Sequence, residues 1–262
     1  MNRAARGGLV WEESPLIAAP HAFSTRVGGV SEGVFASLNL GPGRGDEPAR
    51  VTENFARLGR ALGFDPACCA LTHQVHGTAV RRITAADALG LDAPRPDCDI
   101  LITDRPGAAL VVFGADCPPV LLYDPETGAV GAAHCGWRGT AQGCAAAAVR
   151  AMAAAFGSRP EALRCAIGPG IGPCCFETDG DVPAAMRAAL GPAAEPYLRP
   201  TGAKWHVDLP ALNRLWLERA GVTHIDVSNS CTACLPELFW SHRRMGAARG
   251  SQIAVIVCGG AA

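Results

Sequence analysis

The sequence predicts a single α+β domain with mixed β-sheets. Helical and strand-like segments intermingle without the regular alternation that a Rossmann fold or a (β/α)₈ barrel requires. Short turns join several of the strands, which favours antiparallel pairing within the sheets. Because no fixed-period repeat and no low-complexity linker divides the chain, one domain covering residues 1–262 is expected.

The first quarter of the chain predicts two strands followed by a helix. In the segment 23–41, FSTRVGGVSEGVFASLNLG, Gly-Gly, Ser and Asn separate short apolar groups, which indicates a strand, a loop and a second strand. In the next segment Val51, Phe55, Leu58 and Leu62 recur with helical spacing. The sequence Asp-Glu-Pro marks the start of this helix, and Gly63 marks its end.

The remaining chain predicts a run of strands and then mostly helices. Four apolar, β-type segments follow the loop GLDAPRPDCD, at 100–103, 108–115, 119–124 and 129–134. The alanine-rich segment AQGCAAAAVRAMAAAFG predicts a helix that ends at Gly157. Further helices near 180–190 and 208–220, and strands at 223–228 and 252–258, complete the fold.

Composition favours a small-molecule partner. The chain has 23 Lys and Arg against 24 Asp and Glu, for a net charge of −1, and no basic cluster stands out. We therefore expect no binding to nucleic acid or to acidic membranes. The N-terminus lacks the apolar core of a signal peptide, so a cytoplasmic location is expected, and with it reduced thiols for the twelve cysteines.

The hairpin formed by the strands at 119–124 and 129–134 brings a cysteine and a histidine together. The turn PETG pairs Asp124 with Ala129, and this register places Pro119 opposite His134. Cys117, two residues before Pro119, then lies on the same face as His134, whereas Cys135 faces the other way. A bulge at Gly128 would reverse this assignment of side chains to the two faces.

A thiolate and an imidazole suit zinc, and a third ligand is needed to hold the ion. The segment HQVHG offers His73 and His76, whose spacing allows only one of them to join, and spacing alone does not select between them. A second zinc site on CTAC (231–234) with Cys174 and Cys175 is disfavoured, because adjacent cysteines lack the usual spacing of a zinc knuckle.

Seven motifs resemble those of the laccase-domain proteins, a family also catalogued as polyphenol oxidases, peptidoglycan editing factors and purine nucleoside phosphorylases. They are, in order, FSTRVGGVS, ASLNLG, QVHG, GADCPPVLLYDP, AAHCGWRG, IGPGIGPCCFE and SHRR. The resemblance implies two mixed β-sheets layered with helices, in an α/β/β/α-like order. It also implies zinc bound by His76, Cys117 and His134. Cys135 and Met245 depart from the family's usual residues, and Cys135 could offer a competing thiolate.

The implied activity is zinc-dependent phosphorolysis of purine nucleosides, namely adenosine, inosine, guanosine and methylthioadenosine, together with adenosine deamination. The substrates would be a purine nucleoside and phosphate. Arginine forks match phosphate oxygens, and amides can bond to ribose or purine edges. The predicted substrate-binding residues are Arg26, Arg138, Arg243, Arg244, Asn39 and Gln74. The predicted catalytic residues are Cys117, His134, His76 and Asp116, with Asp99 and His73 as further candidates for proton transfer.

The sequence leaves two alternative functions, and the first of them uses the same residues. In a metal-free Cys-His hydrolase acting on peptidoglycan precursors, Cys117 would attack the substrate and His134 would activate it. A copper-dependent polyphenol oxidase is disfavoured, because multicopper sites consume many histidines and the chain has seven. The sequence does not choose between a monomer and a homodimer.

Overall fold

A computed structural model describes residues 1–259, and it confirms the α+β fold. Within those residues the chain forms fifteen strands and six α-helices, and no helix combines the length and hydropathy needed to span a bilayer. The strands, in chain order, are β1 (Asn2–Arg6), β2 (Leu9–Glu13), β3 (His21–Ser24), β4 (Cys69–Ala70), β5 (Val80–Ile83), β6 (Ile100–Thr103), β7 (Ala109–Gly114), β8 (Pro119–Tyr123), β9 (Val130–His134), β10 (Arg164–Ile167), β11 (Glu177–Thr178), β12 (Leu198–Thr201), β13 (Lys204–Val207), β14 (His224–Val227) and β15 (Gln252–Val257). The helices are α1 (Pro48–Leu62), α2 (Trp137–Ala141), α3 (Cys144–Phe156), α4 (Asp181–Leu190), α5 (Leu209–Arg219) and α6 (His242–Met245).

The strands form two large mixed sheets and one small antiparallel sheet. The first large sheet has the order β1-β2-β3-β15-β7-β4, and the second has the order β14-β10-β8-β9-β6-β5. Most neighbours are antiparallel, but β4 with β7, β10 with β14 and β5 with β6 are parallel. The small sheet, β11-β13-β12, was not predicted from the sequence.

The two large sheets pack face to face between helices, which is the predicted α/β/β/α order. Alternate residues of β7 divide between the two faces: Val111 packs under α1, whereas Val112 faces the other sheet. In β8, Leu121 lies in this same layer between the sheets, whereas Leu122 packs under α3. Both faces of both sheets are therefore covered by apolar side chains.

Helix α1 begins and ends where its sequence predicts. Pro48 occupies its first turn, and Gly63 ends it in the left-handed conformation (φ 79°) with its N–H bonded to the carbonyl of Gly59. The apolar stripe buries Phe55 and Leu58 completely against the first sheet. This stripe is the reason that the sequence pattern identified the helix correctly.

The second strand predicted within 23–41 is wrong. Only β3 forms there, and Leu38 and Leu40 are buried in an irregular segment instead. Side chains satisfy the backbone of this segment: the Asn54 amide on α1 donates to the carbonyl of Asn39 at 2.8 Å. A buried polar side chain thus takes the place of a neighbouring strand.

The alanine-rich helix begins later than predicted. Gly143 has a φ of 76°, which no residue within a right-handed helix adopts, so α2 and α3 are separate helices. Gly157 ends α3 in the left-handed conformation, as expected. The short α2 starts at Trp137, immediately after the β8–β9 hairpin.

The register of that hairpin is confirmed. Pro119 pairs with His134, and the N–H of Asp124 donates to the carbonyl of Ala129 at 2.9 Å. Gly128 adopts a left-handed φ of 74° but introduces no shift of register. Cys135 faces away from His134, as predicted, and is buried among the residues beneath α3.

Candidate metal centre

Three residues with metal-binding side chains converge at one end of the second large sheet. The candidate ligand atoms of His76, Cys117 and His134 all lie within 4.8 Å of one another. Each comes from a different place: His76 precedes β5, Cys117 lies on the connection from β7 to β8, and His134 ends β9. A thiolate and two imidazoles at this separation form a donor set that suits zinc.

The buried carboxylate of Asp99 orients both histidines. Its Oδ1 accepts a hydrogen bond from Nδ1 of His134 at 2.8 Å, which leaves Nε2 of that ring as the free nitrogen. The same carboxylate accepts the backbone N–H groups of Val75, His76 and Gly77 at 3.2, 3.0 and 2.7 Å. A carboxylate behind a ligating histidine is typical of metal centres, where it fixes the orientation of the ring.

The conformation around His76 and Gly136 keeps the centre open. His76 has a φ of 61°, a left-handed conformation that is rare outside glycine and is held here by the bonds to Asp99. A Cβ at Gly136 would lie 2.8 Å from Nδ1 of His76 and 2.9 Å from Sγ of Cys117. Only glycine at position 136 therefore leaves room for a ligand between these groups.

Cys117 and His134 stabilise each other's charged forms in the metal-free chain. Burial acts to raise the pKa of the Cys117 thiol, but His134 and His76 outweigh it and lower that pKa to about 6. Burial acts to lower the pKa of His134, but the Cys117 thiolate and the Asp99 carboxylate raise it to about 10. The two shifts favour a thiolate at Cys117 and an imidazolium at His134 when no metal is bound.

A cleft of about 410 Å³ opens beside these residues, and arginines line it. Arg138 and Arg249 face it together with Arg243, while Phe176 provides an apolar wall. Arg249 is 8% exposed, and its buried Nε has no hydrogen-bond partner among the described residues. Burial lowers the pKa of Arg249 to about 10. A buried guanidinium with a free donor beside a cleft is suited to binding an anion.

Asp116 lies in the same cleft, and its carboxylate joins two segments of the chain. Oδ1 accepts the hydroxyl of Thr232 at 2.7 Å, and Oδ2 accepts the backbone N–H of Arg243 at 2.6 Å. Asp116 has a φ of 93° and is, after His76, the second non-glycine residue near this centre with a left-handed backbone conformation. The side chain predicted to be catalytic therefore also fixes the loops around the cleft.

Several predicted substrate-binding residues bind the protein itself instead of facing the cleft. The guanidinium of Arg26 donates to the carbonyls of Ala36 and Pro236 and stacks 3.9 Å from the ring centroid of Trp240. Asn39 is fully buried, where its Oδ1 accepts the N–H groups of Gly41 and Ser251.

Gln74 and Arg244 also have protein partners. The Gln74 amide pairs with both backbone groups of Phe113. Arg244 donates to the carbonyl of Ala233 at 3.4 Å. The structure thus brings Arg138 and Arg243, but not Arg26, Arg244, Asn39 or Gln74, into the cleft beside Cys117.

The two histidines left open by the sequence lie in different surroundings. His73 is 70% exposed and bonds through Nδ1 to the exposed carboxylate of Asp97 at 2.7 Å, whereas His76 lies beside Cys117 and His134. Trp137 packs against the residues of α4 and α5, and the guanidinium of Arg138 stacks on its ring at 4.4 Å. Two cleft residues, Arg249 and His242, were missed, although the motif SHRR and the Arg-Gly that follows it pointed to this segment.

Comparisons with known proteins agree with the motifs. The family described as multi-copper polyphenol oxidoreductase laccase matches residues 20–259. A purine nucleoside phosphorylase of Deinococcus radiodurans is 43% identical over 249 residues, which are 95% of this chain and 93% of that protein. The purine nucleoside phosphorylase YlmD of Geobacillus stearothermophilus is 38% identical over 97% of this chain and 96% of its own. The crystal structure of YlmD from that organism superposes with a TM-score of 0.92, at 37% identity and 98% coverage of both chains.

Proposed function

This chain belongs to the family described as multi-copper polyphenol oxidoreductase laccase, and we propose that it is a zinc-dependent purine nucleoside phosphorylase. One observation carries the proposal: three arginine side chains line the same cleft as His76 and Cys117, whose candidate ligand atoms lie within 4.8 Å of that of His134. The names of the relatives from Deinococcus radiodurans and Geobacillus stearothermophilus support it.

The three candidate ligands fit zinc better than copper. Zinc in enzymes takes three protein ligands and an open fourth position, and here Gly136 leaves the space that such a position needs. Asp99 fixes His134 in the orientation that a ligand requires. A zinc ion held by these residues would supply Lewis acidity next to the arginines. A multicopper centre needs many more histidines than the chain's seven can provide after their other roles.

The chain's own residues suit phosphorolysis. Phosphate carries the negative charge that Arg138, Arg243 and Arg249 would bind, and a bound phosphate oxygen would attack C1′ of the ribose as the purine departs with the bonding electrons. The departing base needs a proton, and Asp116 and His242 both line the cleft. Phe176 offers an apolar surface for the purine.

The substrates, a second activity, the location and the oligomeric state form part of the same proposal. Adenosine, inosine, guanosine and methylthioadenosine share the purine and ribose that the cleft would bind. Adenosine deamination would be a second activity of the same centre, requiring a water molecule activated for attack at C6. We also propose that residues 1–262 act as one domain in the cytoplasm, as a monomer or a homodimer.

Release of hypoxanthine from inosine tests the proposal. Purified protein should release hypoxanthine only when phosphate is present, and Cys117→Ala should lose both the release and the zinc held by His76, Cys117 and His134. Cys68→Ala is the matched control, because Cys68 is a half-buried thiol outside the group of His76, Cys117 and His134. Absence of phosphate-dependent release from every purine nucleoside would overturn the proposal. Ammonia release from adenosine is measured separately, since it can fail alone.

A Cys-His hydrolase acting on peptidoglycan precursors is the second candidate, and one observation favours it. Asp99, His134 and Cys117 lie in the order of a catalytic triad, because the His134 ring bonds to Asp99 and its candidate ligand atom lies within 4.8 Å of Sγ of Cys117. Metal content separates the two functions. An active enzyme without zinc at Cys117 that is inactivated by alkylation of this thiol would support the hydrolase, and an enzyme that requires both phosphate and zinc at Cys117 would support the phosphorylase.

A further inference from the structure

Four cysteines outside the proposed active site converge on one point. The Sγ atoms of Cys174, Cys175, Cys231 and Cys234 all lie within 4.8 Å of one another. Cys234 is 3.5 Å from Cys174 and 3.3 Å from Cys175, measured between sulfur atoms. The two pairs come from turns about sixty residues apart in the chain, so this convergence is produced by the tertiary fold.

The spacing of the sulfurs matches a tetrahedral metal site. With Zn–S bonds of about 2.3 Å, the edges of a ZnS₄ tetrahedron are about 3.8 Å long. The measured separations of 3.3 and 3.5 Å, and the limit of 4.8 Å for all four atoms, bracket this value. A disulfide, by contrast, needs two sulfurs at about 2.05 Å, and all four thiols are free.

The backbone around Cys231 is arranged as in a zinc knuckle. The turn Cys-Thr-Ala-Cys closes with the N–H groups of Cys234 and Leu235 donating to the carbonyl of Cys231 at 3.2 and 3.1 Å. The N–H of Gly172, in the opposite turn, donates to Sγ of Cys231 at 3.2 Å. Backbone donors to sulfur stabilise a thiolate and are found around metal-bound cysteines.

The opposite turn explains how adjacent cysteines can share one centre. Pro173–Cys175 forms a tight turn in which the N–H groups of Cys175 and Phe176 both donate to the carbonyl of Gly172. Neighbouring side chains point to opposite faces in a strand, but not in such a turn. Cys174 and Cys175 therefore both reach Cys234, and no second C-x-x-C is required.

We propose that Cys174, Cys175, Cys231 and Cys234 bind a second zinc ion in a closed, four-thiolate structural site. Two of the cysteines, Cys174 and Cys234, are exposed, so that the ion can enter from solvent. Four protein ligands leave no open position for a substrate, which distinguishes this site from the candidate active centre.

The ion would support the cleft of the proposed active site. The guanidinium of Arg243 donates to the carbonyls of Cys175 and Glu177, each at 2.9 Å, on one side of the cysteine cluster. On the other side Thr232, between Cys231 and Cys234, donates to Asp116. Zinc bound to both turns would thus hold in place the segments that position Arg243 and Asp116.

Metal stoichiometry tests this second site independently of any enzymatic activity. Full-length protein, purified with a reductant, should contain about two equivalents of zinc, and Cys117→Ser about one. The double variant Cys174→Ser/Cys234→Ser should also contain about one, and combining all three changes should remove both ions. Both residues of the double variant are exposed, so the fold should survive their change. Cys68→Ser should keep about two equivalents.

Cobalt substitution and thermal unfolding identify the ligands and the role of the ion. Cobalt-loaded Cys117→Ser should show strong sulfur-to-cobalt charge-transfer absorption, which disappears in the triple variant. Chelation of zinc from Cys117→Ser should lower its melting temperature, with no effect on the triple variant.

Three results would overturn the inference. The first is one equivalent of zinc in wild type that is lost entirely with Cys117. The second is a stable disulfide among the four cysteines in reduced protein. The third is iron in place of zinc. Failure of phosphorolysis would leave the inference intact, because the metal count in the Cys117→Ser background does not depend on activity.

Discussion

The substitution Asp99→Asn keeps the shape of the side chain but removes its charge, so it tests what the charge contributes. The carboxylate accepts four hydrogen bonds: Oδ1 takes Nδ1 of His134 and the N–H of His76, and Oδ2 takes the N–H groups of Val75 and Gly77. An amide has one oxygen and one NH₂ group, and the NH₂ group cannot accept. In Asp99→Asn, two of the four donors therefore lose their acceptor.

The expected loss follows from burial. The Asp99 side chain is completely inaccessible and that of His134 is 4% exposed, so solvent cannot replace the missing bonds. At about 1.5–3 kcal/mol for each hydrogen bond to a charged group, two lost bonds lower the free energy of unfolding by about 3–6 kcal/mol. For a chain of this size the melting temperature should fall by roughly 6–24 °C. Zinc affinity should fall about 10- to 100-fold as His134 and the His76 loop lose their orientation.

The chain contains a matched control for this experiment. Asp97 and His73 form the same Nδ1-to-carboxylate contact at 2.7 Å, but their side chains are 74% and 70% exposed. Exposed ion pairs contribute little, so Asp97→Asn should melt with wild type and retain its zinc. Thermal unfolding and a competitive zinc titration on both variants provide the measurements. If Asp99→Asn matched Asp97→Asn in both assays, the role assigned to the buried carboxylate would be refuted.

Three further predictions concern the candidate centre and its cleft. Gly136→Ala should remove the zinc held by His76, Cys117 and His134 and reduce phosphorolysis at least about 100-fold, because the new Cβ would lie 2.9 Å from Sγ of Cys117. Gly180→Ala, with open space around it, is the control, and a Gly136→Ala protein with as much zinc as wild type would contradict the geometry. In metal-free protein the rate of Cys117 alkylation should rise as the pH rises through about 6, the lowered pKa of this thiol. An ordinary cysteine has a pKa of about 8.5, so a midpoint near that pH would contradict the ion pair with His134. Arg249→Gln should raise the KM for phosphate about 10- to 100-fold with little change in the KM for the nucleoside. Arg199 is exposed, so Arg199→Gln should alter neither KM. An unchanged KM for phosphate in Arg249→Gln would exclude Arg249 from the anion site.

Features fixed by local pattern were predictable from the sequence. The pairing of Pro119 with His134 follows from the turn and from the period of two in a strand, and so does the direction of Cys135, which points away from His134 into the buried layer beneath α3. The helix α1 was predictable because its apolar stripe and its terminal glycine are both local signals. The strand wrongly predicted within 23–41 shows the limit of such patterns, since Asn54 satisfies that backbone from a distant helix.

The choice between His73 and His76 needed a contact that no local pattern contains. Both histidines lie in the same short loop, and each has an aspartate nearby, but only Asp99 is buried. Its carboxylate binds three successive N–H groups and thereby holds His76 in a left-handed conformation. The segment is therefore not extended, although the comparison of the two side chains by alternation assumed an extended strand. The ligand was therefore settled in the prediction by family resemblance, and the physical reason emerges only when residues 75–77 and 99 are brought together.

The cysteine cluster was disfavoured because adjacent cysteines lack the usual spacing of a zinc knuckle. The turn after Gly172 nevertheless brings the sulfurs of Cys174 and Cys175 to Cys234. The spacing of cysteines in the sequence does not contain the shape of such a glycine- and proline-containing turn. The two donor groups in residues 1–259 share one feature: each draws metal-binding side chains from an irregular segment held by specific hydrogen bonds, residues 75–77 in one group and residues 172–176 in the other. Loss of zinc from one group without the other, in the variants described above, is the result that would show them to be separate sites.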